Sequence, residues 1–135
     1  MKQYLLDTNI CIYFLNDRFG IKEKIAEVGI EHCFISEITL AELKFGAENS
    51  SSKANNRQRI EQFATKLGII PISEILDIYA KEKARLRKNG TPVEDFDLLI
   101  GATAVHHNLI MVSRNVKHLS RIEGIQLENW VPEPG

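Results

Sequence analysis

The segment Tyr4-Leu5-Leu6-Asp7-Thr8-Asn9 decides the fold of this chain. Its first three residues are apolar, which is typical of a short strand that is buried on both faces of a parallel sheet. Asp7 is the first polar residue after that strand, and Thr8 or Asn9 is expected to cap a helix that extends to about Asn16. A buried strand that leads directly into a helix predicts an α/β protein.

The same alternation of short apolar segments and helical patterns continues along the chain. Further strands are predicted at about 32–35, 69–72 and 109–112, with an edge strand at 126–128. Helices are predicted between the strands at 21–28, 36–45, 54–67, 74–88 and 95–107. The helix at 36–45 is expected to end before Gly46, and the helix at 54–67 is expected to end before Gly68. This order predicts a three-layer α/β/α fold with a short, mostly parallel sheet of four to five strands flanked by helices.

Composition and charge exclude several classes of protein. Apolar residues make up 44% of the 135 residues and the net charge is −1, which excludes binding to nucleic acid by bulk charge but leaves a local basic surface open. Cys11 and Cys33 form no Cys-x-x-Cys pair, so we expect two buried, reduced thiols. We also expect a single domain over residues 1–135 and a cytoplasmic location, because no membrane span or signal peptide is evident.

Three acids are predicted to lie where chemistry gathers in a parallel sheet, beyond the carboxyl ends of the strands. Asp7 ends the first strand, Glu42 lies beside an apolar helix face, and Asp97 stands in the first turn of a later helix. Ser113 and Asn115 follow the strand at 109–112. Each acid alone is compatible with an ordinary role as a helix cap, a boundary residue or a partner of the helix dipole.

Carboxylates that crowd together repel one another, and a hard divalent cation with oxygen ligands is the usual remedy. The oxygen donors here favour Mg²⁺ or Mn²⁺, since no set of His and Cys competes for zinc. His106 and His107 are adjacent in a predicted helix, where side chains point about 100° apart. We therefore expect that one is partly buried, the other is exposed, and the two cannot chelate an ion together.

Four motifs in this order resemble a known family. They are Leu6-Asp7-Thr8-Asn9, Leu40-Ala41-Glu42-Leu43, Asp97-Leu98-Leu99-Ile100-Gly101-Ala102 and Ser113-Arg114-Asn115. Together they resemble the PIN-domain ribonucleases, and most closely the VapC-type toxins of type II toxin–antitoxin pairs. The resemblance covers nearly the whole chain and implies a PIN-like fold.

The resemblance also implies roles for individual residues. Asp7, Glu42 and Asp97 would hold one or two Mg²⁺ or Mn²⁺ ions, and Asn115 occupies a catalytic position that is often Asp in the family. Supporting or RNA-binding roles would fall to the neighbouring polar and basic residues Thr8, Asn9, Ser113, Arg114 and Lys117. Further basic residues could guide the RNA backbone, namely Lys44, Arg57, Arg59, Arg85 and Arg87.

The function implied by the resemblance is that of a metal-dependent endoribonuclease toxin. It would hydrolyse phosphodiester bonds of transfer or ribosomal RNA, inhibit translation, form a homodimer, and be masked by a VapB-type antitoxin, with no membrane partner. Two alternatives stay open. Asn115 removes one charge from the site, which favours a catalytically weak PIN module that binds RNA or protein. An acidic Mg²⁺ pocket also occurs in phosphatase-like or receiver-like α/β domains.

Overall fold

A sheet of five parallel strands forms the central layer of the computed structural model, which describes residues 1–133. The strand order is β3-β2-β1-β4-β5. In chain order the strands are β1 (Tyr4–Leu6), β2 (Cys33–Ser36), β3 (Gly68–Ile70), β4 (Ile110–Val112) and β5 (Gln126–Glu128). The expected short parallel sheet is therefore confirmed.

Helices connect the strands and cover both faces of the sheet. They are α1 (Thr8–Leu15), α2 (Ile21–Val28), α3 (Glu37–Glu48), α4 (Lys53–Ala64), α5 (Leu76–Lys88), α6 (Asp95–His106) and α7 (Val116–Leu119). Two 3₁₀ turns, Ile30–His32 and Ser73–Ile75, precede β2 and α5. The short helix α7 was not predicted from the sequence.

The two faces of the sheet carry separate hydrophobic cores, because successive side chains of a strand point to opposite faces. Leu6 packs on one face with apolar residues of α1 to α4, such as Phe63. Leu5 packs on the other face with residues of α5, α6 and α7, such as Leu98 and Leu119. The three layers of the predicted α/β/α fold are thus present.

Two glycines do not end helices as the sequence suggested. Helix α3 continues through Gly46 to Glu48, because Gly46 does not have the positive φ at which glycine usually ends a helix. Gly68 is the first residue of β3, and a Cβ atom there would lie 2.4 Å from the Phe34 ring on the neighbouring strand. Gly68 therefore allows a close approach between strands, which is another common use of glycine.

Three smaller expectations were also tested. Ser36 caps α3 as predicted, whereas α1 is capped by Asp7 and not by Thr8 or Asn9. Cys11 and Cys33 are buried free thiols, as expected. Within residues 1–133, the structure contains no helix of the length and apolarity required to cross a membrane. The domain expected over residues 1–135 includes two positions, 134 and 135, that lie outside the described residues.

Candidate active site

Asp7 lies at the carboxyl edge of the sheet, where β1 passes between its neighbours β2 and β4. Its backbone N–H donates to the carbonyl of Val112, so it extends the strand pairing by one residue. Its side chain is 7% exposed and accepts a hydrogen bond of 2.9 Å from the backbone N–H of Ile10. Burial raises the pKa of Asp7, and the hydrogen bond from Ser113 partly offsets that effect. Asp7 is therefore a firmly positioned carboxylate that is costly to ionise.

Glu42 is fixed by a hydroxyl from α1. The Thr8 hydroxyl donates to Oε1 of Glu42 at 2.6 Å, and it lies 3.2 Å from the hydroxyl of Thr39. Thr39 is fully buried one helical turn before Glu42 in α3. This pair of threonines links α1 to α3 and sets the position of the Glu42 carboxylate. Thr39 was missed from the sequence, although its spacing of three residues from Glu42 places it on the same helix face.

Asp97 reaches the same space from the other face of the sheet. Glu94 caps α6 by accepting a hydrogen bond from the backbone N–H of Asp97, which fixes the first turn. Burial and the negative charges of Glu94, Asp7 and Glu42 raise the pKa of Asp97 to about 6. Burial is the largest cause of this shift, and the smaller contributions of Asp7 and Glu42 indicate that the three carboxylates lie at the same edge of the sheet.

The three acids have no basic partner in the described part of the chain. None of the ion pairs within residues 1–133 includes Asp7, Glu42 or Asp97. Among the described residues, these three acids do not form a group whose ligand atoms all lie within metal-binding distance of one another. The arrangement is an oxygen-only donor set that a hard divalent cation would neutralise. We call Asp7, Glu42 and Asp97 the acidic edge.

Ser113 and Asn115 stand beside the acidic edge but differ in role. Ser113 is fully buried, and its oxygen accepts a hydrogen bond from the backbone N–H of Asn115 at 3.0 Å. Asn115 is exposed at the start of α7, and its Oδ1 lies 2.9 Å from Nδ1 of His118. Ser113 therefore contacts the Asp7 carboxylate, whereas the Asn115 amide contacts the His118 ring.

Of the remaining supporting residues, Asn9 is exposed in α1 and its backbone N–H donates to the Asp7 carboxylate. Arg114 is exposed near α1, with its guanidinium 5.3 Å from the Phe19 ring and 3.5 Å from the Tyr13 hydroxyl. Lys117 is exposed on α7. Arg114 and Lys117 follow β4 directly, near the carboxyl edge of the sheet, and the charge of Arg114 is partly neutralised by Glu133, which lies 3.5 Å away.

The other basic candidates are dispersed. Arg57 pairs with Glu48, Arg59 donates to the carbonyl of Leu15, and Arg85 pairs with Glu82. Lys44 and Arg87 are exposed on α3 and α5. Arg57 and Arg85 are thus partly neutralised, and Arg59 is the basic residue that lines a groove beside Glu42. That groove has a volume of about 220 Å³ and is largely apolar, with Ile12, Leu15, Leu43 and Ile60 among its walls.

Comparisons with known proteins agree with the observed α/β fold. The PIN domain family model matches residues 4–125. The chain is 35% identical to Ribonuclease VapC2 of Rickettsia felis, over 94% of this chain and 97% of that protein. It is 33% identical to the tRNA(fMet)-specific endonuclease VapC of Salmonella typhimurium, over 96% and 99%. The structure of DNA-bound VapBC from Salmonella typhimurium superposes with a TM-score of 0.88 at 33% identity, covering 96% of this chain and 99% of that one.

Proposed function

This chain belongs to the PIN domain family and to its VapC ribonucleases, and from that premise we propose that the acidic edge binds Mg²⁺ or Mn²⁺ and cleaves RNA. The observation that carries the proposal is that Asp7, Glu42 and Asp97 gather at one edge of the sheet with no basic partner within residues 1–133, and the raised pKa of Asp97 supports it. Perturbed carboxylates that are not offset by a cation are typical of functional sites.

The residues fit a hard divalent cation because every donor is an oxygen. Asp7 and Asp97 would be the principal ligands, and Glu42 would bind the ion or orient water. A cation held there would supply Lewis-acid stabilisation of the negative charge that develops on the phosphodiester and its leaving oxygen. We infer that the acidic edge would hold a single ion, because Asn115 offers no charge to a second one and its oxygen already contacts His118.

The surrounding residues hold these carboxylates in place. Ile10 and Ser113 restrain Asp7, and Thr8 restrains Glu42, so both acids keep one orientation before substrate arrives. Arg114 and Lys117 are proposed to contact RNA phosphates, since Arg and Lys supply most of the affinity for a nucleic-acid backbone. Asn9 and Asn115 are exposed at the ends of β1 and β4, where they can donate or accept hydrogen bonds with RNA.

The substrate and partners follow from the relatives. The relative from Salmonella typhimurium is named a tRNA(fMet)-specific endonuclease, so we propose transfer RNA as the first substrate to test, with ribosomal RNA as the second. Similarity to a VapBC complex supports a cognate VapB-type antitoxin that masks the acidic edge. We further propose that residues 1–135 act as one domain, that the toxin is a homodimer, and that it acts in the cytoplasm, where its RNA substrates are found.

The test is RNA cleavage by the purified chain in Mg²⁺, in Mn²⁺ and in EDTA. Purified transfer RNA and ribosomes are offered separately, and the cleavage ends are sequenced. We expect cleavage with either metal and none with EDTA, and we expect Asp7→Ala and Asp97→Ala to lose activity. Circular dichroism confirms that both variants are folded. Full activity in both folded variants would overturn the assignment.

A further inference from the structure

A second group of potential ligands lies away from the acidic edge. It consists of Glu74 in the 3₁₀ turn before α5, His106 at the end of α6, and His107 directly after it. One ligand atom from each residue lies within 4.8 Å of the other two, and all three side chains are exposed. Within residues 1–133, these are the three His, Cys, Asp or Glu residues whose ligand atoms lie close enough together to hold a metal ion. We call it the distal cluster.

The two histidines lie at the carboxyl end of α6. The backbone N–H of Leu109 donates to Ala104 and that of Asn108 to Val105, which is the Schellman arrangement of a helix end. His107 has left helical geometry, with a ψ of 6°, and the ring centres of His106 and His107 lie 4.8 Å apart. Both side chains are exposed, so the expectation that one of them is partly buried is wrong.

The spacing of the distal cluster fits a tetrahedral metal ion. Zn²⁺ binds imidazole nitrogen and carboxylate oxygen at roughly 2.0–2.2 Å, so two of its ligands lie about 3.4 Å apart. Nε2 of His106 and Oε2 of Glu74 are separated by 3.3 Å, which is already close to that value. The ligand atom of His107 lies within 4.8 Å of both, so it needs to approach each of them by at most about 1.4 Å.

We propose that Glu74, His106 and His107 form a binding site for a transition-metal ion of the Zn²⁺ class, with water in the fourth position. Imidazole ligands favour Zn²⁺, Ni²⁺ and Cu²⁺, whereas Mg²⁺ prefers oxygen. His106 and Asp97 are nine residues apart in α6, which corresponds to about 14 Å along the helix axis. The distal cluster is thus separate from the acidic edge in both position and chemistry, and it does not depend on the proposed nuclease activity.

A bound ion would join two elements that pack together. Glu74 belongs to the turn that follows β3, and the histidines end the helix that leads into β4. An ion that binds the folded state alone stabilises it in proportion to its occupancy. The ordinary alternative is that Glu74 and His106 form a simple surface hydrogen bond or ion pair, in which His107 has no part.

His107→Ala separates these alternatives because it removes one ligand and leaves the Glu74–His106 pair intact. Zn²⁺ is titrated calorimetrically into the full-length protein with excess Mg²⁺ present to occupy the acidic edge. We expect one Zn²⁺ per chain for the parent. Loss of a ligand should weaken binding by more than the roughly 10- to 100-fold that follows loss of an outer-shell partner. The matched control is His32→Ala, which removes a histidine that lies 3.5 Å from Glu31 without a second histidine.

A second measurement uses the unmodified protein, so that it does not depend on the folding of a variant. The chain has four histidines, and their ring resonances can be followed by NMR during the Zn²⁺ titration. We expect the rings of His106 and His107 to shift and those of His32 and His118 to stay in place. Undiminished Zn²⁺ binding by His107→Ala, no Zn²⁺ binding by the parent, or shifts at His32 or His118 in place of His106 and His107 would overturn the proposal.

Discussion

Asp95 and Asp97 are two residues apart in the first turn of α6, yet their environments shift their pKa values in opposite directions. Asp95 lies 2.8 Å from the Lys83 ammonium and accepts a hydrogen bond from the Tyr79 hydroxyl, and these contacts lower its pKa. Asp97 is half-buried among other carboxylates, and its pKa rises to about 6. One acid is stabilised as an anion by its neighbours, and the other is not.

The same contrast separates two regions of the molecule. On the flank formed by α5 and the start of α6, acids are paired with bases, and Glu82 is held by Arg85 so that its pKa is lowered. At the acidic edge, acids face one another. Uncompensated carboxylates are unfavourable in a folded protein, which supports the proposal that a cation is their missing partner.

The largest expected difference between the two regions is in catalysis. Asp97→Asn should reduce the rate of RNA cleavage by roughly 10²- to 10³-fold, as removal of one group that stabilises transition-state charge commonly does. Asp95→Asn is the matched control, because it makes the same chemical change in the same helical turn, and its rate should stay within about threefold of the parent. Initial rates with transfer RNA at saturating Mg²⁺ measure both. Comparable losses in the two variants would mean that the contrast has no functional meaning.

The next effect is on the free energy of unfolding in the absence of metal. Here Asp97→Asn is expected to be favourable, whereas it is harmful to catalysis. Asp97→Asn removes a charge that folding makes unfavourable, so it should raise the free energy of unfolding at pH 7 by up to about 2 kcal/mol. That value allows for partial exposure of the site to solvent. Asp95→Asn removes a favourable contact with Lys83 and should lower stability slightly. Urea unfolding in EDTA measures both values, and a destabilised Asp97→Asn would contradict the assigned environment.

How far such contrasts can be predicted from sequence depends on how local their causes are. The strand before Asp7 and the strand before Ser113 were predicted because a run of apolar residues indicates a buried parallel strand. Both aspartates of α6 were also placed in a first helical turn. Their opposite environments were not predicted, because Lys83 lies on another helix and Glu42 lies beyond the opposite face of the sheet.

Glycines and adjacent histidines show the same limit. Gly46 and Gly68 carry the usual signal for a helix end, yet one lies within α3 and the other lies in β3 against the Phe34 ring. His106 and His107 were placed in one helix, where an angle of 100° separates neighbours, but the helix ends at His106. The candidate metal site was missed because Glu74 lies 32 residues from His106 along the chain, and the sequence does not show that the two side chains meet.

The pH dependence of stability should also differ between the two regions. A raised pKa means that the folded state holds the Asp97 proton more tightly than the unfolded state does. Stability from this group is therefore complete below about pH 4 and is lost as the pH rises through about 6, with a slope of at most about 1.4 kcal/mol per pH unit. Asp95 has the opposite sign, because its pKa is lowered and its contribution is lost as the pH falls.

The difference in unfolding free energy between the parent and Asp97→Asn isolates the contribution of Asp97 from that of all other titrating groups. Unfolding free energies of the parent and of Asp97→Asn are measured in EDTA between pH 4 and pH 8. The parent should lose stability relative to the variant as the pH rises from 4 to 6, and the difference should be constant above about pH 7. Parallel curves over the whole range would show that Asp97 titrates as an ordinary surface acid.

The smallest expected effect is on kcat/KM when a hydroxyl that donates to a carboxylate is removed. One such hydroxyl lies in each of the two regions. Thr8 donates to Glu42 at 2.6 Å in the acidic edge, and Tyr79 donates to Asp95 at 3.0 Å on the flank. Thr8→Val keeps the shape of the side chain but releases Glu42, and loss of this hydrogen bond should cost about 1 kcal/mol, or about fivefold in kcat/KM. Tyr79→Phe removes an equivalent bond outside the acidic edge and should leave kcat/KM unchanged.

Thr8 is a positioning residue that acts through Glu42, so its effect should depend on the metal. Higher Mg²⁺ should restore part of the activity of Thr8→Val, because the cation can replace the hydroxyl in orienting the Glu42 carboxylate. A defect that is independent of Mg²⁺ would instead indicate general damage to the contact between α1 and α3. The Mg²⁺ dependence of kcat/KM in Thr8→Val and Tyr79→Phe therefore tests whether the hydroxyl at the acidic edge serves the metal site or only holds two helices together.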